Sequence, residues 1–479
     1  MACVFTIIAS PSAAFWPFGK RGPRLSDGLD SAAAELLSRA IQIDTTNPPG
    51  NEAPLAEFFV DIAEREGLEA RVIKTPSGGS GSDGNRAAAW ARLPGHGKQR
   101  PIVLLSHLDV VPADGEGWVV DPFSGLITAG YVVGRGALDA KGVSIVHLLA
   151  MAELARRDTR LDRDVLFLAT PDEESGGQSG AGWLVRRRPD LLRGAEFLLT
   201  EGGGILVGDA GEPNVWGVGV AEKGPCWARL VARGAAGHGS TAGPAAAVPR
   251  LVAALERVRR MPLPVRVVPE VATMFGWLAP IAAPEDRAGY ADLATALRDD
   301  PHFRSRFLAD AARSALVRNT VNITVLAAGS HTNVAPEEAH ADLDVRLLPG
   351  ESCNAFLDHL RSVIADPAVQ VQSLLAFEPL GSPARTELFA AIETVAGEVD
   401  PGALVVPRVI AGFTDAHWFR ELGLVAYGFV PRWLPPSETV GIHGSNERIS
   451  IDNLERGVRT MVRILEVLGR AEDAERVAR

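Results

Sequence analysis

Cysteine is scarce in this chain of 479 residues, which contains only Cys3, Cys226 and Cys353. The three cysteines are widely spaced and form no Cys-x-x-Cys pair, so the sequence predicts neither a disulfide framework nor a thiolate metal site. Any metal ion that the protein binds must then be held by histidine, aspartate and glutamate.

An excess of positive charge and long apolar runs are also lacking. Lys and Arg number 48 against 59 Asp and Glu, the net charge is -11, and no Lys/Arg-rich block is present. These features argue against a nucleic-acid-binding surface. No apolar stretch is long enough to predict a membrane span.

The N-terminal segment allows two interpretations. Residues 3–9 form a short apolar run, and small residues follow at 9–14, as they do near a secretion-signal cleavage site. However, no positive charge precedes the run, which a secretion signal requires. A cytoplasmic protein is therefore favoured and export stays open, and in both cases we expect residues 1–24 to lie outside the fold.

The chain is long enough for two or three domains. Continuous apolar runs of strand length, typical of strands buried on both faces of a mainly parallel sheet, occur at 102–105, 164–170 and 196–200. An amphipathic helix is predicted between the first two of these strands, at 142–157. These elements predict an α/β catalytic domain.

From residue 221 the order of predicted elements changes to strand, helix, strand, strand, helix, strand, which is the βαββαβ (ferredoxin-like) arrangement. We therefore predict a first domain with a central, mostly parallel sheet, interrupted by a compact second domain with the βαββαβ arrangement. The predicted limits are 25–220 and 377–479 for the first domain and 221–376 for the second, with a helical insert at about 262–318.

Each buried strand of the first domain is followed by a loop that carries histidine or acidic residues. His107 and Asp109 follow the first strand, Glu173 and Glu174 follow the second, and Glu201 follows the third. Ligands bind at the carboxyl ends of the strands in open α/β sheets, so these loops are expected to converge. Alone, His107 would be an ordinary loop histidine.

Asp139 and His443 complete a candidate metal-binding set. Asp139 directly precedes the predicted helix, where a helix N-cap is the alternative interpretation, and His443 lies in a loop rich in proline and glycine. Two histidines and three carboxylates suffice for two zinc ions that share one aspartate. Glu173 and Glu174 are adjacent, which suits one ligand and one base, although a solvated acidic loop is the simpler alternative.

These segments resemble metallopeptidase family twenty, the group of zinc aminoacylases, carboxypeptidases and succinyl-diaminopimelate desuccinylases. The motifs that carry the resemblance follow the family's order along the chain at 106–112, 134–142, 171–174, 200–203 and 442–444. Residues 117–118 and 121–125, together with the long insert, look like the carboxypeptidase S branch. That branch includes secreted enzymes that act on N-fatty-acyl amino acids.

The resemblance implies two Zn²⁺ ions per subunit, with Co²⁺ or Mn²⁺ as substitutes. One ion would be held by His107, Asp139 and Glu201, and the other by Asp139, Glu174 and His443, with Asp139 bridging. It further implies that Asp109 orients His107 and that Glu173 is the general base.

The resemblance also implies that the first domain is catalytic and that the βαββαβ domain is a lid and dimerisation domain, and it assigns residues in and after that second domain. His238 would reach the active site of the neighbouring subunit, Asn333 and Arg346 would bind substrate, and Thr414 lies in another substrate-side loop. Arginine offers a bidentate fork for a carboxylate, and His238 and Asn333 could stabilise a carbonyl oxyanion. Without the resemblance, a turn histidine, a turn asparagine and a surface arginine would be the simpler interpretations.

We therefore expect a homodimeric, zinc-dependent metallohydrolase of the carboxypeptidase S type. It would cleave the amide bond of small peptides or N-acyl amino acids that carry a free carboxylate. An aminoacylase is one alternative to a peptidase. A non-catalytic, metal-stabilised dimeric binding protein is the other, but Glu173 beside a complete ligand set argues against it.

Overall fold

The computed structural model describes residues 29–77, 85–113, 115–208, 212–435 and 441–470, so the signal-like segment lies outside the described residues. The strands are β1 Glu69–Lys74, β2 Ala87–Leu93, β3 Ile102–His107, β4 Leu126–Thr128, β5 Tyr131–Val133, β6 Val165–Thr170, β7 Phe197–Thr200, β8 Gly204–Leu206, β9 Val215–Glu222, β10 Gly224–Arg233, β11 Gly237–His238, β12 Thr320–Ala327, β13 Val334–Ala335, β14 Glu338–Leu347, β15 Val369–Ala376, β16 Leu404–Ile410, β17 Val425–Gly428, β18 Trp433–Leu434 and β19 Arg448–Ser450. The helices are α1 Leu29–Ile41, α2 Ala53–Arg65, α3 Lys141–Arg156, α4 Ala181–Arg187, α5 Ala247–Arg260, α6 Pro269–Leu278, α7 Arg287–Ala291, α8 Leu293–Asp299, α9 Pro301–Ala309, α10 Ala311–Leu316, α11 Cys353–Ile364, α12 Glu387–Val399, α13 Ala416–Arg420 and α14 Ile451–Leu468.

The large sheet has ten strands in the order β1-β2-β6-β3-β7-β17-β9-β8-β18, with β16 paired to β9. Its centre, from β6 through β3 and β7 to β17, is parallel. Every residue of β3, β6 and β7 is buried, as the continuous apolar runs predict. The predicted fold class, α/β with a mostly parallel central sheet, is confirmed.

Helix α3 lies against this sheet and differs from the prediction in one respect. The sequence predicts an amphipathic helix, but nearly all of α3 is buried, including its polar residues Lys141, Ser144 and His147. The helix is covered on its outer side by α1 and α14, which a local pattern does not reveal. No helix in the described part of the chain is long and apolar enough to cross a membrane.

A second, antiparallel sheet has the order β12-β14-β10-β15. Along the chain its elements run β10, α5, β12, β14, α11, β15, which is the predicted βαββαβ order, and α5 and α11 share its apolar core. The chain enters this sheet between Glu222 and Gly224 and leaves it after Ala376. We call this unit the lid domain; its limits at 221 and 376 stay predictions.

Helices α6 to α10 form the insert, which interrupts the lid domain in sequence. Their apolar residues, including Phe275 and Phe307, belong to the same buried cluster as the large domain. Trp277 of α6 also packs edge-on against Phe389 of α12, with ring centroids 5.7 Å apart. The insert is therefore connected to the lid domain in sequence but packed on the large domain in space.

The prediction that the cysteines form no disulfide is wrong. Cys226 of β10 is bonded to Cys353, the first residue of α11, and their Cα atoms are 5.4 Å apart. The two residues are separated by 127 positions in the sequence. Spacing alone could not show that the βαββαβ topology brings the start of α11 beside β10.

Candidate active site

The loops after three neighbouring parallel strands meet at one edge of the large sheet. His107 is the last residue of β3, Glu173 and Glu174 lie in a short 3-10 turn after β6, and Glu201 directly follows β7. Because β3 lies between β6 and β7, these side chains come together at the carboxyl ends of the strands. The structure thus places the predicted residues in one cluster.

Asp139 lies at the centre of this cluster. One of its carboxylate oxygens, Oδ1, is 2.9 Å from Nε2 of His107, and the other, Oδ2, is 3.1 Å from Nε2 of His443. The N-cap residue of α3 is Ala140 and not Asp139, so the N-cap alternative is not supported. A carboxylate that presents one oxygen to each of two imidazoles has the arrangement of a bridging ligand.

Two glutamates complete two groups of possible metal ligands. Glu201 Oε1 is 3.4 Å from His107 Nε2, and Glu174 Oε1 is 3.4 Å from His443 Nε2. In each group the donor atoms lie within 4.8 Å of one another. The groups are His107, Asp139 and Glu201, and Asp139, Glu174 and His443. Two nitrogen donors and three carboxylates without a thiolate suit zinc.

Burial and mutual repulsion perturb the ionisation of the acidic groups. Burial, reinforced by the nearby Asp139 carboxylate, raises the pKa of Glu201 to about 7, and burial also raises the pKa of Glu174. Burial acts to raise the pKa of Asp139 as well, but hydrogen bonds from His107 and His443 outweigh it and lower that pKa. A cluster of buried carboxylates with raised pKa values favours a bound cation.

Asp109 supports both the histidine and the acidic loop. The Nδ1 atom of His107 lies 2.9 Å from the backbone oxygen of Asp109 and 3.6 Å from its Oδ1. The carboxylate also accepts hydrogen bonds from the backbone nitrogens of Glu173 and Glu174, both at 3.0 Å, and from Asn47 Nδ2 at 2.8 Å. Asp109 therefore holds His107, the loop of Glu173 and Glu174, and Asn47, whereas the sequence suggested only the contact with His107.

Glu447 was not identified from the sequence. It is fully buried, accepts a hydrogen bond from Arg135 Nη1 at 2.7 Å, and accepts others from the backbone nitrogens of Gly136, Leu138 and Asp139 at 2.7 to 3.0 Å. Four donors thus hold the loop that presents Asp139. An acidic residue four positions after His443 offers no local signal of this role.

A cavity of about 770 Å³ opens above the ligand cluster. Glu173 borders it, is 7% exposed, and burial raises its pKa well above the usual value. Within the described residues its carboxylate accepts no hydrogen bond, so it is free to exchange a proton. The remaining walls come from both domains and include Trp227, Arg346, Arg408, Ile410, Phe413, Thr414, Arg432 and Leu434.

Arg346 and Thr414, two of the predicted substrate-binding residues, line this cavity. The guanidinium of Arg346 lies 4.8 Å from the ring centroid of Phe413 and pairs with Asp344, with Nε 2.7 Å from Oδ1. Thr414 Oγ1 donates to Glu222 at 2.8 Å and is turned into the buried interior. Arg346 is therefore the better placed of the two for a ligand.

The structure does not bring His238 and Asn333 to this cavity within the described part of the chain. Both are exposed, and they lie together where β11 pairs with β13 at the edge of the lid domain. His238 Nδ1 is 2.8 Å from Ser240 Oγ, and the backbone oxygen of Asn333 accepts from Gly239. These positions leave both side chains available to another molecule.

Comparisons with known proteins show the family of the chain. A model of peptidase family M20/M25/M40 matches residues 103–467. The bovine N-fatty-acyl-amino acid synthase/hydrolase PM20D1 is 31% identical over 480 aligned positions, which cover 93% of this chain and 90% of that protein. Aminoacylase-1B of Rattus norvegicus is 26% identical, and the alignment covers 90% of this chain and 94% of that protein.

The fold is found in solved structures as well. An M20 family metallo-carboxypeptidase from Sulfolobus solfataricus superposes with a TM-score of 0.71 at 19% identity, over 91% of this chain and 99% of that one. Human carnosine dipeptidase 1 superposes with a TM-score of 0.65 at 17% identity, over 92% and 96% of the two chains. The chain belongs to peptidase family M20/M25/M40 and is an amidohydrolase of the kind that acts on peptides or N-acyl amino acids.

Proposed function

We propose that this protein is a dinuclear zinc hydrolase that releases an amino acid with a free carboxylate from an N-acyl amino acid or a small peptide. The observation that carries the proposal is the position of Asp139, whose two oxygens each face a different histidine. His107 and Glu201 would complete one metal site, and Glu174 and His443 the other; Co²⁺ or Mn²⁺ could replace Zn²⁺. When bound, such ions polarise a carbonyl and lower the pKa of water.

Glu173 is the proposed general base. It is buried beside the ligand cluster, its pKa is raised by burial, and its carboxylate is not engaged by any described donor. It would take a proton from the attacking water and return it to the leaving nitrogen. Asp109 would act as a positioning residue, since it holds both His107 and the backbone of Glu173.

Arg346 is proposed to bind the free carboxylate of the substrate. Its planar guanidinium already forms a two-point contact with Asp344, which is the geometry that a substrate carboxylate would need. The rings of Trp227 and Phe413 lie beside it and would limit its movement. Thr414 would contribute to the same wall of the cavity.

A homodimer formed through the lid domain would complete the site. Strand β12 is an edge strand of the lid sheet and exposes Ile323, Val325 and Leu326, which is unusual for an edge that faces only water. Paired with a second copy, this edge would be covered. His238 and Asn333 would then be available to stabilise the oxyanion in the cavity of the other subunit.

Deacylation of N-acyl amino acids is favoured over peptide hydrolysis as the main activity. Two of the relatives are named for N-acyl amino acids, a fatty-acyl-amino acid hydrolase and an aminoacylase. Much of the cavity wall is apolar, with Ile410, Leu434 and Ile442 on it, which suits an acyl chain. The non-catalytic alternative loses its support, because the family consists of hydrolases.

The test is a hydrolysis panel with zinc-loaded protein. N-acyl amino acids and dipeptides would each be run beside the same compound with a C-terminal amide, and release of the free amino acid would be followed. Cleavage of the free-carboxylate compounds and not of the amides supports both the activity and the role of Arg346. Equal cleavage of the amides would remove Arg346 from the proposal, and no cleavage with two metal ions bound would refute the activity.

A further inference from the structure

Arg408, on β16, differs from the other arginines of the cavity because none of the described residues pairs with it. It lines the cavity and is half-buried, and within the described chain its guanidinium makes neither an ion pair nor a hydrogen bond. Burial lowers the pKa of Arg408, and no neighbouring charge contributes to that shift. By contrast, Arg346 is paired with Asp344, and Arg432 donates to the backbone oxygen of Leu138.

The fold leaves room for this side chain on the surface of the large sheet. At Gly217 of β9, a Cβ atom would stand 2.2 Å from Cδ of Arg408 and 3.3 Å from its Nη1. Gly217 is paired with Gly204, the first residue of β8, which lies three residues after Glu201. The side chain of Arg408 therefore lies against the glycines of β8 and β9, close to the proposed metal ligand Glu201.

A cation in this position carries a cost that no residue in the described part of the chain offsets. A charge removed from water without a partner is unfavourable, and a bound ligand is one explanation for such a group. The nitrogen atoms of Arg408 are not among the sealed, unpartnered atoms of the interior, and the residue lines the cavity. A guanidinium that is half-desolvated and still accessible binds a carboxylate more strongly than one in water.

Arg408 and Arg346 belong to different walls. Arg346 lies on β14 of the lid sheet, and Arg408 lies on β16 of the large sheet next to the segment that follows Glu201. If Arg346 holds the carboxylate of the released amino acid, Arg408 is left for the other side of the scissile amide. That side carries the acyl group.

We propose that Arg408 binds a second carboxylate, located on the acyl part of the substrate. This inference rests on the proposed function and narrows it: the enzyme would prefer amino acids acylated by a dicarboxylic acid, or dipeptides with an acidic N-terminal residue, over substrates with a neutral acyl chain. Arg408 is in this sense a specificity-determining residue, and the reaction itself does not require it.

The experiment compares two substrates that differ in one group, N-glutaryl-L-leucine and N-pentanoyl-L-leucine. Both have a five-carbon acyl chain, but only the first ends in a carboxylate. With the zinc-loaded wild-type protein, kcat/KM for the glutaryl compound should exceed that for the pentanoyl compound by about ten- to a hundredfold, the range typical of one charge-assisted contact. In Arg408→Gln the ratio should fall to near one, while turnover of the pentanoyl compound is kept.

Two further variants make the result specific. Arg408→Lys keeps the charge without the fork and should retain part of the preference, which also answers the question if Arg408→Gln fails to fold. Arg187→Gln, an exposed arginine on α4, is the matched control and should behave as wild type. Equal rates on both substrates in the wild type, or an equal loss on both in Arg408→Gln, would overturn the assignment.

If neither substrate is cleaved, the result counts against the proposed hydrolase activity. A binding measurement then tests whether Arg408 binds a carboxylate. Calorimetry with glutarate would be run on wild type and Arg408→Gln. Binding by wild type that weakens about tenfold or more in the variant supports the site. Equal affinities, or no binding by either protein, would refute it.

Discussion

Replacement of Asp109 by asparagine is the sharpest test of how the site is held together. The carboxylate accepts from two backbone nitrogens at 3.0 Å and from Asn47 Nδ2 at 2.8 Å, and it faces His107 Nδ1 at 3.6 Å. An amide has one acceptor atom where the carboxylate has two. In either orientation its NH₂ group therefore points at a backbone N–H, so at least one buried donor loses its partner.

The size of the effect follows from these contacts. An unsatisfied buried donor costs about 1–3 kcal/mol, and the contacts that remain change from charge-assisted to neutral. We expect Asp109→Asn to lower the stability of the metal-free protein by about 2–4 kcal/mol. Loss of a group that orients a metal-binding histidine typically weakens metal affinity by about ten- to a hundredfold.

Denaturant unfolding of the metal-free protein and calorimetric zinc titration would measure these two quantities. Asp366→Asn is a matched control, because Asp366 also accepts two hydrogen bonds, from Arg250 and a backbone nitrogen, but lies in the lid domain away from the cavity. The control should keep zinc affinity. Wild-type stability and wild-type zinc affinity in Asp109→Asn would refute the view that this carboxylate organises the site.

Three other predictions can be checked independently. Glu173→Gln should bind two zinc ions as wild type does yet lose at least about a hundredfold in kcat, which is the usual contribution of a general base; retained turnover would exclude Glu173 from that role. Burial lowers the pKa of His147 from 6.5 to about 3, and neither ring nitrogen has a partner among the described residues. The unfolded chain therefore takes up a proton that the folded protein refuses, and stability falls as the pH decreases from 6.5 towards 3. His147→Leu should remove this loss, so its stability relative to wild type should rise by about 2 kcal/mol between about pH 7 and pH 5 in denaturant titrations; a constant difference would contradict the assignment. Reduction of the Cys226–Cys353 bond, which closes a loop of 127 residues, should destabilise the lid domain by about 4–5 kcal/mol, and Cys353→Ser should show the same unfolding curve with and without reductant.

The sequence was most informative where function depends on the ends of buried strands. Continuous apolar runs predicted β3, β6 and β7, and the acidic residues after them converge as parallel strands require. The βαββαβ order of the lid domain was also predicted, because each of its elements has a clear periodicity. The specific roles of the site residues stay predictions.

Elements whose patterns are broken were not predicted. Strand β9 contains Gly217 and Gly219, and β16 contains Pro407, so neither reads as a strand by composition. The glycines are explained only by the partner strand, because a Cβ at these positions would collide with Arg408 and Ile410. Contacts distant in sequence, such as those of Glu447 with the Asp139 loop, leave no local signal either.

The packing of the insert bears on how the lid domain can move. The chain crosses between the two domains four times, after Glu222, between α5 and α6, between α10 and β12, and after Ala376. Lys223, at the first crossing, donates from Nζ to the backbone oxygens of Ala315 and Arg318 at the third, both at 2.9 Å, and so ties these two crossings to each other. Four connections, two of them joined through Lys223, limit how far the lid domain can be displaced from the large domain. Any opening of the cavity must therefore be compatible with all four connections.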